Sequence, residues 1–286
     1  MKFLLFLIFF MLVTPMSAMA FDPWSEPMGA RGLALGGAVI ATGTGSDAMT
    51  TNPASMSLIK SYIWESYYRY NSVDKGHVAQ TALVDSFKNP RFAAGAYYAI
   101  SMAEPTAFYN GSNLTRDETY MKGGLALSIL VWDNIAIGVN GYYYDYSPED
   151  LPGKSGFSMD VGMVARIGKL FTVGAVAYDL ITDHDDAYPW SFGAGAAIFL
   201  MKMFTLEADI VMEGSKPWYK GGGEILLGEG LILRGGYGRR ESKGIQYFGA
   251  GVGYITKKSS IEFSIMQNVE GSKNTFVGVD LRFFLR

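Results

Sequence analysis

The residues of this chain most able to do chemistry are charges set two apart inside otherwise apolar runs. Lys122, Asp160, Arg166, Glu207, Asp209, Lys220, Glu224, Arg234, Glu262, Asp280 and Arg282 all stand on such runs. Six are acidic and five basic. Near-balance predicts cross-strand ion pairs; a selective ion pore would show one dominant sign. Acid–base hydrolysis needs a base within reach of a nucleophile. The two histidines, His77 and His184, are tied to no such partner, so no catalytic residue is assigned and the chain does not read as an enzyme. Asp183-His184-Asp185-Asp186 has the oxygen ligands a divalent cation would share with lipopolysaccharide phosphates. It reads first as a solvated acidic loop, and no metal site is assigned. Absence of cysteine excludes disulfides, thiolate ligands and a lipoprotein anchor. A net charge of −3 offers nucleic acid no electrostatic partner. No cofactor is implied: Gly221-Gly222-Gly223 and Gly249, Gly251, Gly253 introduce no helix and are not phosphate loops.

What positions the charges is a repeated alternation. In 157–167, Phe157, Met159, Val161, Met163, Ala165 and Ile167 alternate with Ser158, Asp160, Gly162, Val164 and Arg166. A period of two is a strand with one apolar face and one mixed face. The same pattern predicts strands at 61–70, 77–85, 91–102, 119–131, 135–146, 157–167, 170–181, 190–200, 203–212, 218–227, 231–239, 245–255, 259–268 and 274–285. Each has about the 9–11 residues of a tilted spanning strand, and about fourteen in all is an even number, as single-chain barrels require. Short connections such as Asp133-Asn134, Gly168-Lys169 and 228–230 alternate with longer polar ones such as 103–118, 147–156 and 213–217. That order predicts tight turns at one end, with both termini, and longer loops at the other. Trp132, Trp190 and Trp218 fall at interface depths. The predicted fold class is all-β: a transmembrane antiparallel β-barrel over 61–286.

Two segments precede it. Lys2, an apolar run from Phe3 to Val13 and Ala18-Met19-Ala20 form a signal peptide over 1–20. Export to the outer membrane follows, with membrane lipid and lipopolysaccharide as surroundings and the barrel assembly machinery as an insertion partner. Residues 21–60 lack alternation and are dense in small residues, which suits a compact hatch packed inside the barrel.

Within that hatch, Gly29-Ala30-Arg31-Gly32, Gly36-Gly37-Ala38, Asp47-Ala48 and Asn52-Pro53-Ala54 follow in order. The set resembles the N-terminal signature of the FadL-like outer-membrane proteins. These include fatty-acid and aromatic-hydrocarbon transporters and the PorV/PorQ proteins of a secretion system. The resemblance implies a fourteen-stranded, monomeric barrel plugged by an N-terminal hatch. It makes Gly29, Arg31, Gly32, Gly36, Gly37, Asn52, Pro53 and Ala54 hatch or gate residues. It also implies passive uptake of small hydrophobic ligands through the hatch, leaving sideways where the third strand kinks. Ala94 and Gly95 are small enough for such a kink, or for close packing of a neighbour. The alternative it implies is a PorV/PorQ-like barrel serving a secreted partner protein without small-molecule transport. Loop 103–118 is short for a surface capture groove.

Overall fold

The computed structural model describes residues 29–89, 91–109, 112–149, 152–181, 190–201, 203–271 and 273–285. The predicted signal peptide, the first hatch residues (21–28) and the acidic segment 183–186 lie outside the described residues.

Among the described residues, sixteen strands follow residue 60: β1 (Tyr62–Asn71), β2 (Gly76–Asp85), β3 (Phe92–Ala103), β4 (Thr106–Tyr109), β5 (Ser112–Thr115), β6 (Glu118–Trp132), β7 (Ile135–Pro148), β8 (Lys154–Ile167), β9 (Phe171–Tyr178), β10 (Ser191–Leu200), β11 (Phe204–Glu213), β12 (Lys216–Leu227), β13 (Leu231–Arg240), β14 (Ile245–Ile255), β15 (Ser259–Glu270) and β16 (Thr275–Leu285). All but β4 and β5 close into one barrel of fourteen antiparallel strands, each beside its sequence neighbours, with β1 paired to β16. Closure leaves no strand edge unpaired, which is what a spanning sheet requires where no water can bond the backbone.

The alternation sets the two faces. On β1, Ile63, Glu65, Tyr67, Arg69 and Asn71 point inward and are buried, while Trp64 and Tyr68 point outward. Around the wall, Leu125, Ile129, Met163, Leu233, Phe263 and Val277 form an exposed apolar belt. Polar inside and apolar outside inverts a water-soluble sandwich and matches a barrel in lipid. Trp64 stacks on Phe283 at 5.4 Å near the turn end, where Trp132 is also exposed.

Four details depart from the sequence expectation. Loop 103–118 carries a small separate hairpin, β4–β5. The predicted loop 213–217 is only a two-residue turn, Gly214-Ser215, possible because Gly214 takes a φ of 60°. The difference between short-turn and long-loop ends is correspondingly weaker. The predicted strand 170–181 stops at Tyr178, where Asp179 at a φ of 57° turns the backbone. Trp218 is inside, only 5% exposed, because it shares strand parity with Lys220, Gly222 and Glu224.

The described part of the segment expected to be a hatch, residues 29–60, packs against the inner face of the barrel. It holds helix α1 (Ala30–Ala34), helix α2 (Ser46–Thr51) and a 3-10 helix (Pro53–Leu58). α1 packs against β13–β16, α2 against β2 and β3, and the 3-10 helix against β3, β6, β7 and β8. Gly36 and Gly37 adopt φ of 65° and 82°, so the chain reverses after α1 where other residues would be strained.

Candidate functional site: the seat of the hatch

The candidate site is the contact between hatch and wall, and it has two unlike halves. Glu65, Glu207, Glu224, Arg234, Glu262 and Arg282 each stand three residues from the turn-end limit of their strand. They form a charged arc over β11–β13, β15, β16 and β1. The same position on β2, β3, β7, β8, β9 and β10 is Ala82, Gly95, Gly138, Val164, Gly174 and Ala197. That second arc is smooth and uncharged.

The charged arc grips the hatch by ion pairs. Arg31 of α1 reaches Glu207, and its Nε lies 3.3 Å from Glu224. It also donates to Thr42, at 3.3 Å to the carbonyl and 3.1 Å to Oγ1. Arg234 joins Glu224 at 2.9 Å and Glu262 at 2.6 Å, so neighbouring strands share the arrangement. On the seam strands, Arg282 pairs with Glu65 at 3.1 Å and Asp280 at 2.9 Å, and donates to Thr44 Oγ1 at 3.1 Å. Ser46 N donates to Glu65 at 3.0 Å, and Asp47 sits 4.0 Å from Arg282. Asp209 accepts from the hatch backbone at Val39 (2.8 Å) and Ile40 (2.9 Å). A guanidinium holding two carboxylates in a fixed fork suits a buried anchor.

The smooth arc admits the hatch by omission of side chains. A Cβ at Gly138 would stand 2.5 Å from Pro53 C, one at Gly174 2.7 Å from Ile40 O, and one at Gly162 3.2 Å from Pro53 Cδ. Further glycines continue the girdle under α1: a Cβ at Gly222 would lie 2.6 Å from Leu35 O and one at Gly249 2.5 Å from Leu33 O. Met49 and Met56 fill the apolar side, packed with Ala82, Ala93 and Tyr97.

Asn52-Pro53-Ala54 lies on this smooth side. Asn52 Nδ2 donates to Ile40 O at 2.9 Å and to Met163 O of β8 at 3.2 Å, while its Oδ1 accepts from Ala54 N at 3.2 Å. An amide has donors and an acceptor on one planar group, so it can clip hatch to hatch and hatch to wall at once. Pro53 starts the 3-10 helix with its fixed φ. Ser128 Oγ of β6 then donates to Ala54 O at 3.0 Å. Gly29 and Gly32 serve by their carbonyls, which accept from Leu33 N (3.0 Å) and Gly37 N (2.8 Å).

The other residues singled out from the sequence are placed as follows. Lys122 and Lys220 point inward nearer the loop end, each Nζ 3.7 Å over a ring, of Tyr142 and Trp218 respectively. Asp160 accepts from Asn140 at 3.0 Å and from Asp179 N at 3.0 Å. Arg166 stands exposed at the turn-end mouth, its Nη2 donating to Leu58 O at 3.0 Å. Ala94 and Gly95 lie in a ladder without register shift, from His77–Met102 to Asp85–Ala94 on one side and from Phe92–Ile129 to Ala103–Glu118 on the other. Met49 of α2 packs over Gly95, whereas Ala94 shares the outward parity of Phe92 and Tyr98. His77 faces outward, with Nδ1 2.6 Å from the Tyr68 hydroxyl. Sequence reasoning missed Glu65, Arg69, Glu118 and Asp179 as inward charges. Strand 1 reads YIWESYYRYN, with large residues on both faces, so hydrophobicity alone does not orient it.

No protein-family model and no curated protein matches the chain. Solved structures do. The toluene transporter TbuX of Ralstonia pickettii is similar at a TM-score of 0.72 and 14% identity, over 91% of this chain and 98% of that one. The toluene transporter TodX of Pseudomonas putida gives 0.68 and 12% identity, over 91% and 97%. The monoaromatic hydrocarbon channel CymD gives 0.69 and 12%, over 90% and 96%. At these identities the likeness establishes a shared fold across nearly the whole of each chain.

Proposed function

We propose that this chain is a FadL-like outer-membrane barrel for passive uptake of small hydrophobic molecules, with one-ring aromatics as the first candidates. The supporting observation is a closed fourteen-strand barrel with residues 29–60 packed inside it, in a fold shared over 91% of the chain with a toluene transporter. That similarity favours uptake over service to a secretion partner. An open porin would have no such filling. The apolar belt supports a wall set in lipid, and in this reading the turn end faces the periplasm.

In this reading the hatch works as a gate held on one side. The charged arc keeps α1 in place, and the segment around Asn52 yields on the smooth side, where packing and neutral hydrogen bonds hold it without ion pairs. A sideways exit at Ala94 and Gly95 requires Met49 to withdraw first. The direct test is toluene uptake by cells whose own transporters are deleted, with and without this protein. Uptake no faster than the empty strain would sink the proposal.

The double substitution Asn52→Ala, Pro53→Ala separates gate from anchor. It leaves Ile40 O and Met163 O without their donor, at about 1–3 kcal/mol per unsatisfied group. Toluene uptake is expected to fall about tenfold, because without these bonds the segment no longer lines one defined path, and about 1.4 kcal/mol of lost ordering is a factor of ten. Barrel insertion is expected to stay normal by heat-modifiable gel mobility, and no steady conductance is expected, because the charged arc still holds the plug. Unchanged uptake removes the gate role of Asn52.

A further inference from the structure

A recess of about 140 Å³ opens at the turn end of the lumen, beneath the hatch. Leu58, Ile59 and Phe199 give it apolar walls, and Arg166 and Thr172 give it polar groups at one side. Its volume is close to the roughly 150 Å³ of an apolar cavity that accepts benzene. Its polar groups differ in how far they are already engaged. Arg31 and Glu224 at its inner edge are committed to each other, to Glu207 and to Arg234. Arg166 forms no ion pair among the described residues; it spends one N–H on Leu58 O and holds the rest of its guanidinium at the mouth. Thr172 is buried, yet no partner for its hydroxyl occurs among the described residues.

We infer that this recess is a binding site for a one-ring aromatic carboxylate, the ring against Phe199, Leu58 and Ile59 and the carboxylate on Arg166. A guanidinium with free N–H groups recognises a carboxylate in a two-pronged contact. The Thr172 hydroxyl stands ready to donate to the same anion. The walls have room for one ring and no long chain, so a fatty acid would not fit whole. The physiological sense of the site, as the last station before the periplasm, rests on the uptake reading; the binding itself does not.

The test uses purified full-length protein in lipid nanodiscs, with benzoate and toluene as probes in ligand-observed NMR titrations. Benzoate is expected to bind with one-to-one stoichiometry. Arg166→Met is expected to lower the preference for benzoate over toluene about tenfold, the scale of losing a charge-assisted contact, and Arg166→Lys to restore part of it. Thr172→Phe, which fills the recess, is expected to abolish benzoate binding in a barrel that still shows normal heat-modifiable mobility. Absence of benzoate binding, or binding unaffected by both Arg166→Met and Thr172→Phe, overturns the inference. Toluene uptake in cells is scored alongside. Uptake without benzoate binding removes the recess alone, and benzoate binding without uptake removes the uptake reading alone.

Discussion

Arg31→Ala is expected to unplug the barrel. Arg31 is the one group of α1 that bonds two strands of the wall, through Glu207 and Glu224, and also closes onto Thr42 within the hatch. Its removal leaves Glu207 buried without a cation, whereas Glu224 keeps Arg234. Deleting one partner of a buried pair costs about 3–5 kcal/mol, and here that cost falls on the docked hatch alone. The population of undocked hatch should rise by about two to four orders of magnitude. In planar bilayers the parent protein should be silent and Arg31→Ala should show frequent or steady openings. Hydrogen exchange over 30–58 should quicken, with barrel strands unchanged. Adding Glu207→Gln removes the stranded charge and should recover part of the protection. A silent, fully protected Arg31→Ala would mean that the hatch is seated by the glycine girdle and not by ion pairs.

Gly236→Val attacks the seat from the wall. A Cβ at Gly236 runs into the backbone of Leu35 and Gly36, which cannot rotate aside as a side chain would. Valine itself suits a strand, so the barrel should gain rather than lose β preference. The matched control is Gly235→Val, one residue earlier and facing outward, where the nearest atom to a new Cβ is Gly249 O at 4.0 Å. Overpacking costs about 1–3 kcal/mol, more where backbone meets backbone. Both variants should insert and migrate as folded barrels. Only Gly236→Val should conduct and expose 30–58 to protease. Equal behaviour of the two would dispose of the girdle as the seat.

The barrel was legible because a two-residue period repeats with enough length and regularity to count strands. Facing is readable wherever one face is clearly apolar, as in β8, β11 and β15, whose Asp160, Glu207, Asp209 and Glu262 are buried. It failed where aromatics occupy both faces, hiding Glu65 and Arg69 on β1. Trp218 was misplaced because it was assigned to an interface by residue type instead of by parity with Lys220. The strand glycines were readable as room for a neighbour. That the neighbour is hatch backbone at Gly138, Gly222 and Gly249 depends on how the chain folds back through the lumen, which no local pattern encodes. The division of the wall into charged and smooth arcs was likewise invisible. It emerges only when strands far apart in sequence are brought to one level.

The strands that meet last in sequence, β1 and β16, are also the ones whose cross-pair Glu65–Arg282 is wrapped by Thr44, Ser46 and Asp47. The hatch is tethered to β1 and enters the lumen from the turn end, beside the seam. Pairing of β1 with β16 brings Arg282 beside Glu65, and the seated hatch completes that cluster. A nascent barrel that closes prematurely would bury Arg282 and Glu65 without those hatch partners, and such a product is less stable than the correct one. The seam and the seat thus stabilise one another: the pair that closes the wall is strongest when residues 44–47 are docked against it.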